Sequence, residues 1–127
     1  FAPGPGGSFN ILRPEAIESI FILHQLTKDP VYREWGWNML QALYKYERTD
    51  VAYGSYPDVN QKHRQPDDRM ESFFLAETMK YHYLLQAPVE DHGVDILRTH
   101  VFNTEAHPTS IFGSPRYEEL KKMARGL

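Results

Sequence analysis

Residues 70–86, MESFFLAETMKYHYLLQ, read as a helix that is apolar on most sides. Such a helix has to be surrounded, so the fold it belongs to packs several helices around it. Two further helices precede it. In PEAIESIFILHQLTK, residues 14–28, Ile17, Ile20, Phe21 and Leu23 to Leu26 recur at helical spacing. Pro14 stands where a first helical residue would, since its missing N–H costs nothing in an opening turn. Asp29 and Pro30 supply a cap followed by a proline for VYREWGWNMLQALYKYER, residues 31–48. That helix is expected to turn Val31, Trp35, Met39, Ala42, Leu43 and Tyr46 to one side.

The connections are polar or rich in glycine and proline. Residues 1–12 form an entry loop, about 49–69 a loop or irregular hairpin, and 86–99 another loop. HVFNTE, residues 100–105, reads as a short extended segment, and PRYEELKKMARG, residues 115–126, as an exposed charged helix. The order is helix, helix, loop, helix, loop, short strand, helix. Because the chain opens at Phe1 in a glycine- and proline-rich stretch, the sequence predicts a fragment or processed piece.

The net charge of -3 comes from acids and bases interspersed along the chain. With no basic stripe to neutralise phosphates, nucleic acid is not an expected partner. No apolar run reaches the roughly 20 residues that span a bilayer. The aromatic share of 13% is high, which suits either a core or stacking on sugar faces. The six His show no zinc spacing, and there is no phosphate loop or nucleophile elbow. The Asp67–Asp68 pair in its polar loop reads as solvated.

Three segments place acids among apolar or aromatic residues. In LRPEAIES, residues 12–19, Glu15 and Glu18 project from nearly the same face of a first helical turn. The helix dipole and neighbouring Arg13 favour an ionised carboxylate there, which suits a base better than an acid. Composition alone favours the plainer alternative, a capped helix start with a surface Arg–Glu pair. In MESFFLAET, Phe73 and Glu77 share a helix face and form a possible sugar contact, although periodicity alone favours a core Phe beside a surface Glu. In VFNTEAHP, residues 101–108, Thr104 offers a hydroxyl and its own carbonyl to a hard cation, and Glu105 is placed to orient waters around it. A turn after a strand is the plainer reading of that string.

Together LRPEAIES, MESFFLAETMKY and VFNTEAHP, in this order and spacing, resemble the class I α-1,2-mannosidases, glycoside hydrolase family 47. The similarity runs from about residue 9 to 108. It implies an all-α fold, the C-terminal portion of an (α/α)7 barrel with short β segments in its loops, so that residues 1–127 are one piece of a single catalytic domain. It implies calcium-dependent, inverting hydrolysis of terminal α-1,2-linked mannose from high-mannose N-glycans. The catalytic base would be Glu15 and the calcium residue Thr104. Substrate or metal-bound waters would be held by Arg13, Glu18, Phe73, Glu77 and Glu105.

The family's general acid belongs to earlier helices, so the isolated chain is expected to be inactive and poorly folded. The resemblance also implies the lumen of the endoplasmic reticulum or Golgi, or secretion, with no membrane contact from this segment and a monomeric full-length form. The alternative from another class is a mannose-recognising quality-control relative with little or no catalysis. The tail 109–127 lies outside the similarity and carries no assigned role.

Overall fold

The computed structural model describes residues 7–61 and 63–125. Residues 1–6 of the expected entry loop and the last two residues of the tail therefore lie outside the described residues. The elements are helices α1 (Glu15–Thr27) and α2 (Val31–Tyr46), then a π-helical stretch Phe74–Met79 that runs on as α3 (Lys80–Gln86). A short α4 (Val89–His92), strands β1 (His100–Phe102) and β2 (Pro108–Ser110), and α5 (Pro115–Arg125) complete the chain.

Local chemistry explains where the first helices begin and end. The main chain already turns helical at Pro14 and Pro30, each one position ahead of the first helical residue. Asp29 acts as expected, its carboxylate accepting a hydrogen bond from the Val31 N–H at 2.9 Å. Lys28 ends α1 in the left-handed region, φ 60°, and donates its N–H to the His24 carbonyl.

The core is one sandwich of α1, α2 and α3. Ile17 and Phe21 from α1 pack with Tyr81, Leu84 and Leu85 from α3, and Ala106 from the β1–β2 turn joins them. Phe21, Tyr81 and Phe102 form an aromatic cluster, with ring centroids 5.7 Å apart for Phe21–Tyr81 and for Tyr81–Phe102. A second cluster of Leu12, Leu43 and Phe74 lies beside it.

The buried face of α2 is only partly the expected one: Leu43 and Met39 face the core, whereas Trp35, Ala42 and Tyr46 are exposed. Gly36 and Leu43 are its buried residues, whereas Trp35 and Trp37 are each 50% exposed. The reason is the close approach at Gly36: a Cβ there would fall 2.3 Å from Leu85 Cδ2. With Gly36 turned inward, both neighbouring indoles turn outward. In α1 the buried stripe is Ile17, Phe21 and Gln25, and Leu23 and Leu26 are exposed.

The third helix is likewise less regular than its sequence predicts, since its first turns are π-helical. Leu75 and Tyr83 stand exposed while Phe74, Tyr81, Leu84 and Leu85 are buried. Two elements were illegible in the sequence: α4, inside the expected loop 86–99, and β2, which pairs antiparallel with β1 in the register His100–Ser110, Val101–Thr109 and Phe102–Pro108. The expected extended run 100–105 is thus shorter, because residues 103–107 turn back. The polar stretch after α2 is an irregular hairpin as expected, with bridges Arg48–Tyr53 and Asn10–Tyr56. Asp67 and Asp68 are exposed, as is most of α5. Among the described residues no helix is long and apolar enough to cross a membrane.

Candidate active site

Leu12 begins the site. It is buried in the left-handed region at φ 65°, its N–H donates to Asn10 Oδ1 at 3.0 Å, and its carbonyl accepts the Thr78 hydroxyl at 2.6 Å. A non-glycine residue held there costs about 1–3 kcal/mol, so the surroundings over-determine it. The fixed chain delivers Arg13, exposed, and Glu15, exposed as the first residue of α1. Among the described residues Arg13 forms no ion pair with Glu15, so the surface pair that composition favoured is absent.

Glu18 lies one turn further, half-buried, and its Oε1 accepts a hydrogen bond from the Tyr81 hydroxyl at 3.2 Å. Phe73 and Glu77 are both half-buried, the first just ahead of the π-helical stretch and the second within it. No ring packs on Phe73 among the described residues.

The third segment is the turn between β1 and β2. Asn103 closes it, its Oδ1 accepting the N–H groups of Glu105 and His107 at 3.0 Å each. Ala106, buried and at φ 53°, returns the chain to the core, and its carbonyl accepts the Lys80 ammonium at 2.7 Å. Thr104 and Glu105 are exposed at the tip. No protein group among the described residues engages the Thr104 hydroxyl.

Acids from the first and third segments, with Glu15 and Glu105 90 positions apart, act on Glu77 in the second. Its carboxyl is held above the usual carboxylate range, first by burial and then by repulsion from Glu105, Glu18 and Glu15, with Lys80 opposing. Four carboxylates therefore share one electrostatic neighbourhood, which Glu18 ties to the aromatic cluster through the Tyr81 hydroxyl. Like charges so gathered favour a cation or a proton between them.

The donor set also bears on which cation could bind. Among the described residues no group of three or more His, Cys, Asp or Glu side chains is placed to hold a metal directly. A hard cation would find here the Thr104 hydroxyl and carbonyl, with carboxylates nearby that could hold its waters. Calcium fits that set.

A cavity of about 600 Å³ lies to one side, between α1, α2 and the irregular hairpin. Its wall includes Met39 and Leu43, and it meets the candidate site along Leu12, Arg13 and Glu15 and at Thr78. Two polar side chains face it, His82 and Glu47, of which sequence reasoning passed over Glu47; they are 2% and 5% exposed. Glu47 accepts from Asn10 Nδ2 at 2.6 Å but leaves Oε2 unpartnered, and both His82 ring nitrogens lack partners. Burial pushes Glu47 up to about 7, the Asn10 bond opposing, and pushes His82 down to about 4. The sole sequence signal for either is a polar residue at an apolar helical position. Thr78, Lys80 and Tyr81 were missed for the same reason, because helical spacing does not say which distant atom a side chain meets.

Comparison with known proteins adds an independent line. Residues 4–111 match the model for glycosyl hydrolase family 47. The chain is 51% identical over 106 residues to a mannosyl-oligosaccharide 1,2-alpha-mannosidase of Arabidopsis thaliana, covering 84% of this chain and 18% of that protein. It is 48% identical over 111 residues to the endoplasmic reticulum mannosyl-oligosaccharide 1,2-alpha-mannosidase of Rattus norvegicus, covering 85% and 16%. Its structure resembles the alpha-1,2-mannosidase from Trichoderma reesei with a TM-score of 0.75 and 39% identity, over 84% of this chain and 22% of that one. The chain thus spans less than a fifth of the length of these curated relatives.

Proposed function

The chain belongs to glycosyl hydrolase family 47, and from that premise we propose that it forms the C-terminal part of a catalytic domain that removes terminal α-1,2-linked mannose from high-mannose N-glycans with inversion. The whole domain would be a barrel of paired helices, to which α1, α2 and α3 contribute, with the β1–β2 turn opening on its cavity. The observation that carries the reading is the convergence of Glu15, Glu18, Glu77 and Glu105 beside an unengaged Thr104 hydroxyl.

Glu15 is the proposed base, and it accepts the proton of the water that attacks the anomeric carbon. Its place as the exposed first residue of α1, directly after the fixed Leu12–Pro14 backbone, leaves its carboxylate open to an attacking water. An inverting site holds its acid roughly 6.5–9.5 Å from the base, and here the acid would come from outside this chain. Arg13 donates hydrogen bonds to the glycan next to Glu15. Phe73, half-buried with an unstacked ring, packs on the C–H face of the terminal mannose. Glu18, Glu77 and Glu105 accept hydrogen bonds from sugar hydroxyls and waters, and the Tyr81 donor keeps Glu18 oriented. Calcium, held through Thr104, would supply a positive charge that binds mannose hydroxyls and offsets the crowded carboxylates.

Relatives named for the endoplasmic reticulum support a lumenal location, in that compartment or the Golgi, with secretion as the other family pattern. The full-length enzyme is proposed to act as a monomer. The test is cleavage of α-1,2-mannobiose by the full-length protein, with and without a calcium chelator. Turnover that is lost on chelation and in Glu15→Gln is the expected result. Calcium-dependent glycan binding without turnover would instead establish a mannose-recognising protein, and neither response would overturn both.

A further inference from the structure

Among the described residues, two of the three non-glycine residues in the left-handed region border the candidate site, Leu12 just before Arg13 and Ala106 just after Glu105. Each gives its carbonyl to a side chain of the same helical segment. The Thr78 hydroxyl donates to Leu12 at 2.6 Å and the Lys80 ammonium donates to Ala106 at 2.7 Å. Leu12, Ala106 and Thr78 are at most 2% exposed, so water does not compete for these carbonyls. A third bond from the same stretch, Tyr81 to Glu18 at 3.2 Å, reaches back to α1. The base end and the threonine turn come from opposite ends of the chain and are joined through this one helix.

We infer that Thr78 and Lys80 are positioning residues, a rigid bracket in which Thr78 fixes the backbone that projects Arg13 and Glu15 and Lys80 fixes the turn that presents Thr104. The inference rests on the reading of Glu15 as base and Thr104 as the calcium residue. Through the bracket, the spacing between base and cation oxygens is set by one short helical stretch and not by two loops. A rival role for Lys80 is charge balance alone, since its charge opposes the crowding of acids around Glu77. The two roles predict opposite signs. Loss of charge balance makes the site more negative and tightens calcium binding, whereas loss of the tether loosens the Thr104 turn and weakens it.

The experiment uses the full-length protein with Thr78→Val, Thr78→Ser, Lys80→Met and Lys80→Arg. It measures kcat and KM on α-1,2-mannobiose and calcium affinity by titration calorimetry. Thr78→Val is expected to lower kcat on the order of 30-fold with KM little changed, since misplacement by about 1 Å costs up to ~100-fold, and Thr78→Ser restores it. Lys80→Met is expected to weaken calcium binding about 10-fold, in the range for groups that orient metal ligands, and Lys80→Arg to preserve it. Unchanged kcat in Thr78→Val, or calcium binding as tight or tighter in Lys80→Met, overturns the bracket. Should Thr78→Val unfold, Thr78→Cys, a weaker donor of similar size, has to show a partial kcat loss, and wild-type kcat in it overturns the inference as well. A wild-type protein with neither turnover nor calcium binding sinks the functional reading, and the bracket with it. An active wild type with unaffected variants sinks the bracket alone.

Discussion

Tyr81 donates its phenol hydrogen to Glu18 at 3.2 Å while its ring packs edge-on against Phe102, 5.7 Å between centroids. One side chain thus joins the carboxylate cluster to the aromatic core. Its hydroxyl stays protonated at any working pH, because burial and then the Glu18 charge raise its pKa. Tyr81→Phe keeps the packing and removes the donor. The expected result in the full-length protein is a stability loss of about 1.5 kcal/mol, the low end for a hydrogen bond to a charged group because Glu18 is only half-buried. Mannose affinity should fall further than stability implies, because Glu18 is no longer oriented. Chemical denaturation and glycan titration check this, and an unaltered glycan affinity would separate Glu18 from substrate binding.

Gly36 is where α2 meets the other two helices. A Cβ built there falls 2.3 Å from Leu85 Cδ2 and 3.1 Å from Ile17 Cδ1, and both partners are buried. Gly36→Ala gains up to ~1 kcal/mol of helix propensity but overpacks the junction at a cost of about 1–3 kcal/mol. A net loss near 1 kcal/mol is expected by urea unfolding of the full-length protein. A stabilised variant would mean that Leu85 repacks freely.

Glu47 and His82 should shape the pH dependence of stability in opposite senses. Glu47 rises from 4.5 to about 7 on folding, so the folded state holds the proton more firmly and stability falls as pH climbs through that window. His82 drops from 6.5 to about 4, so the unfolded state binds more protons there and stability rises with pH over that range. The slopes oppose below pH 6.5, and above it the Glu47 decline stands alone. Thermal melts from pH 4 to 8 are expected to show Glu47→Gln rising to pH 6.5 and then flattening. His82→Leu should fall steadily from 4.5 to 7. If both variants track the wild type, neither group is buried in the way described here.

Thr104 is exposed and unengaged, so Thr104→Ala should cost within about 0.5 kcal/mol in metal-free protein. With calcium at a hundredfold excess over its dissociation constant, the wild type should gain about 2.7 kcal/mol of stability. The variant should lose most of that gain. Calcium-dependent shifts of equal size in both proteins would remove Thr104 from the metal site.

Much of this was legible before any coordinates. The caps at Asp29–Pro30, the three apolar helical runs and the ordered strings LRPEAIES, MESFFLAETMKY and VFNTEAHP are local patterns, and the family they resemble is the one whose model the chain matches. The outward Trp35 was not legible, because an indole outweighs a glycine in any periodicity argument while Gly36 alone permits the close approach. Nor was β2, whose residues acquire a strand only by pairing with β1.

By itself the sequence determined where helices begin, which residue types stand at each turn, and which family they belong to, since those depend on neighbours a few positions away. Only the tertiary structure decided that Thr78 and Lys80 each grip a left-handed residue, that Glu77 sits among Glu15, Glu18 and Glu105, and that Glu47 and His82 are buried with unpartnered atoms. Those are meetings between groups far apart along the chain, and the packing of α1, α2 and α3 creates them.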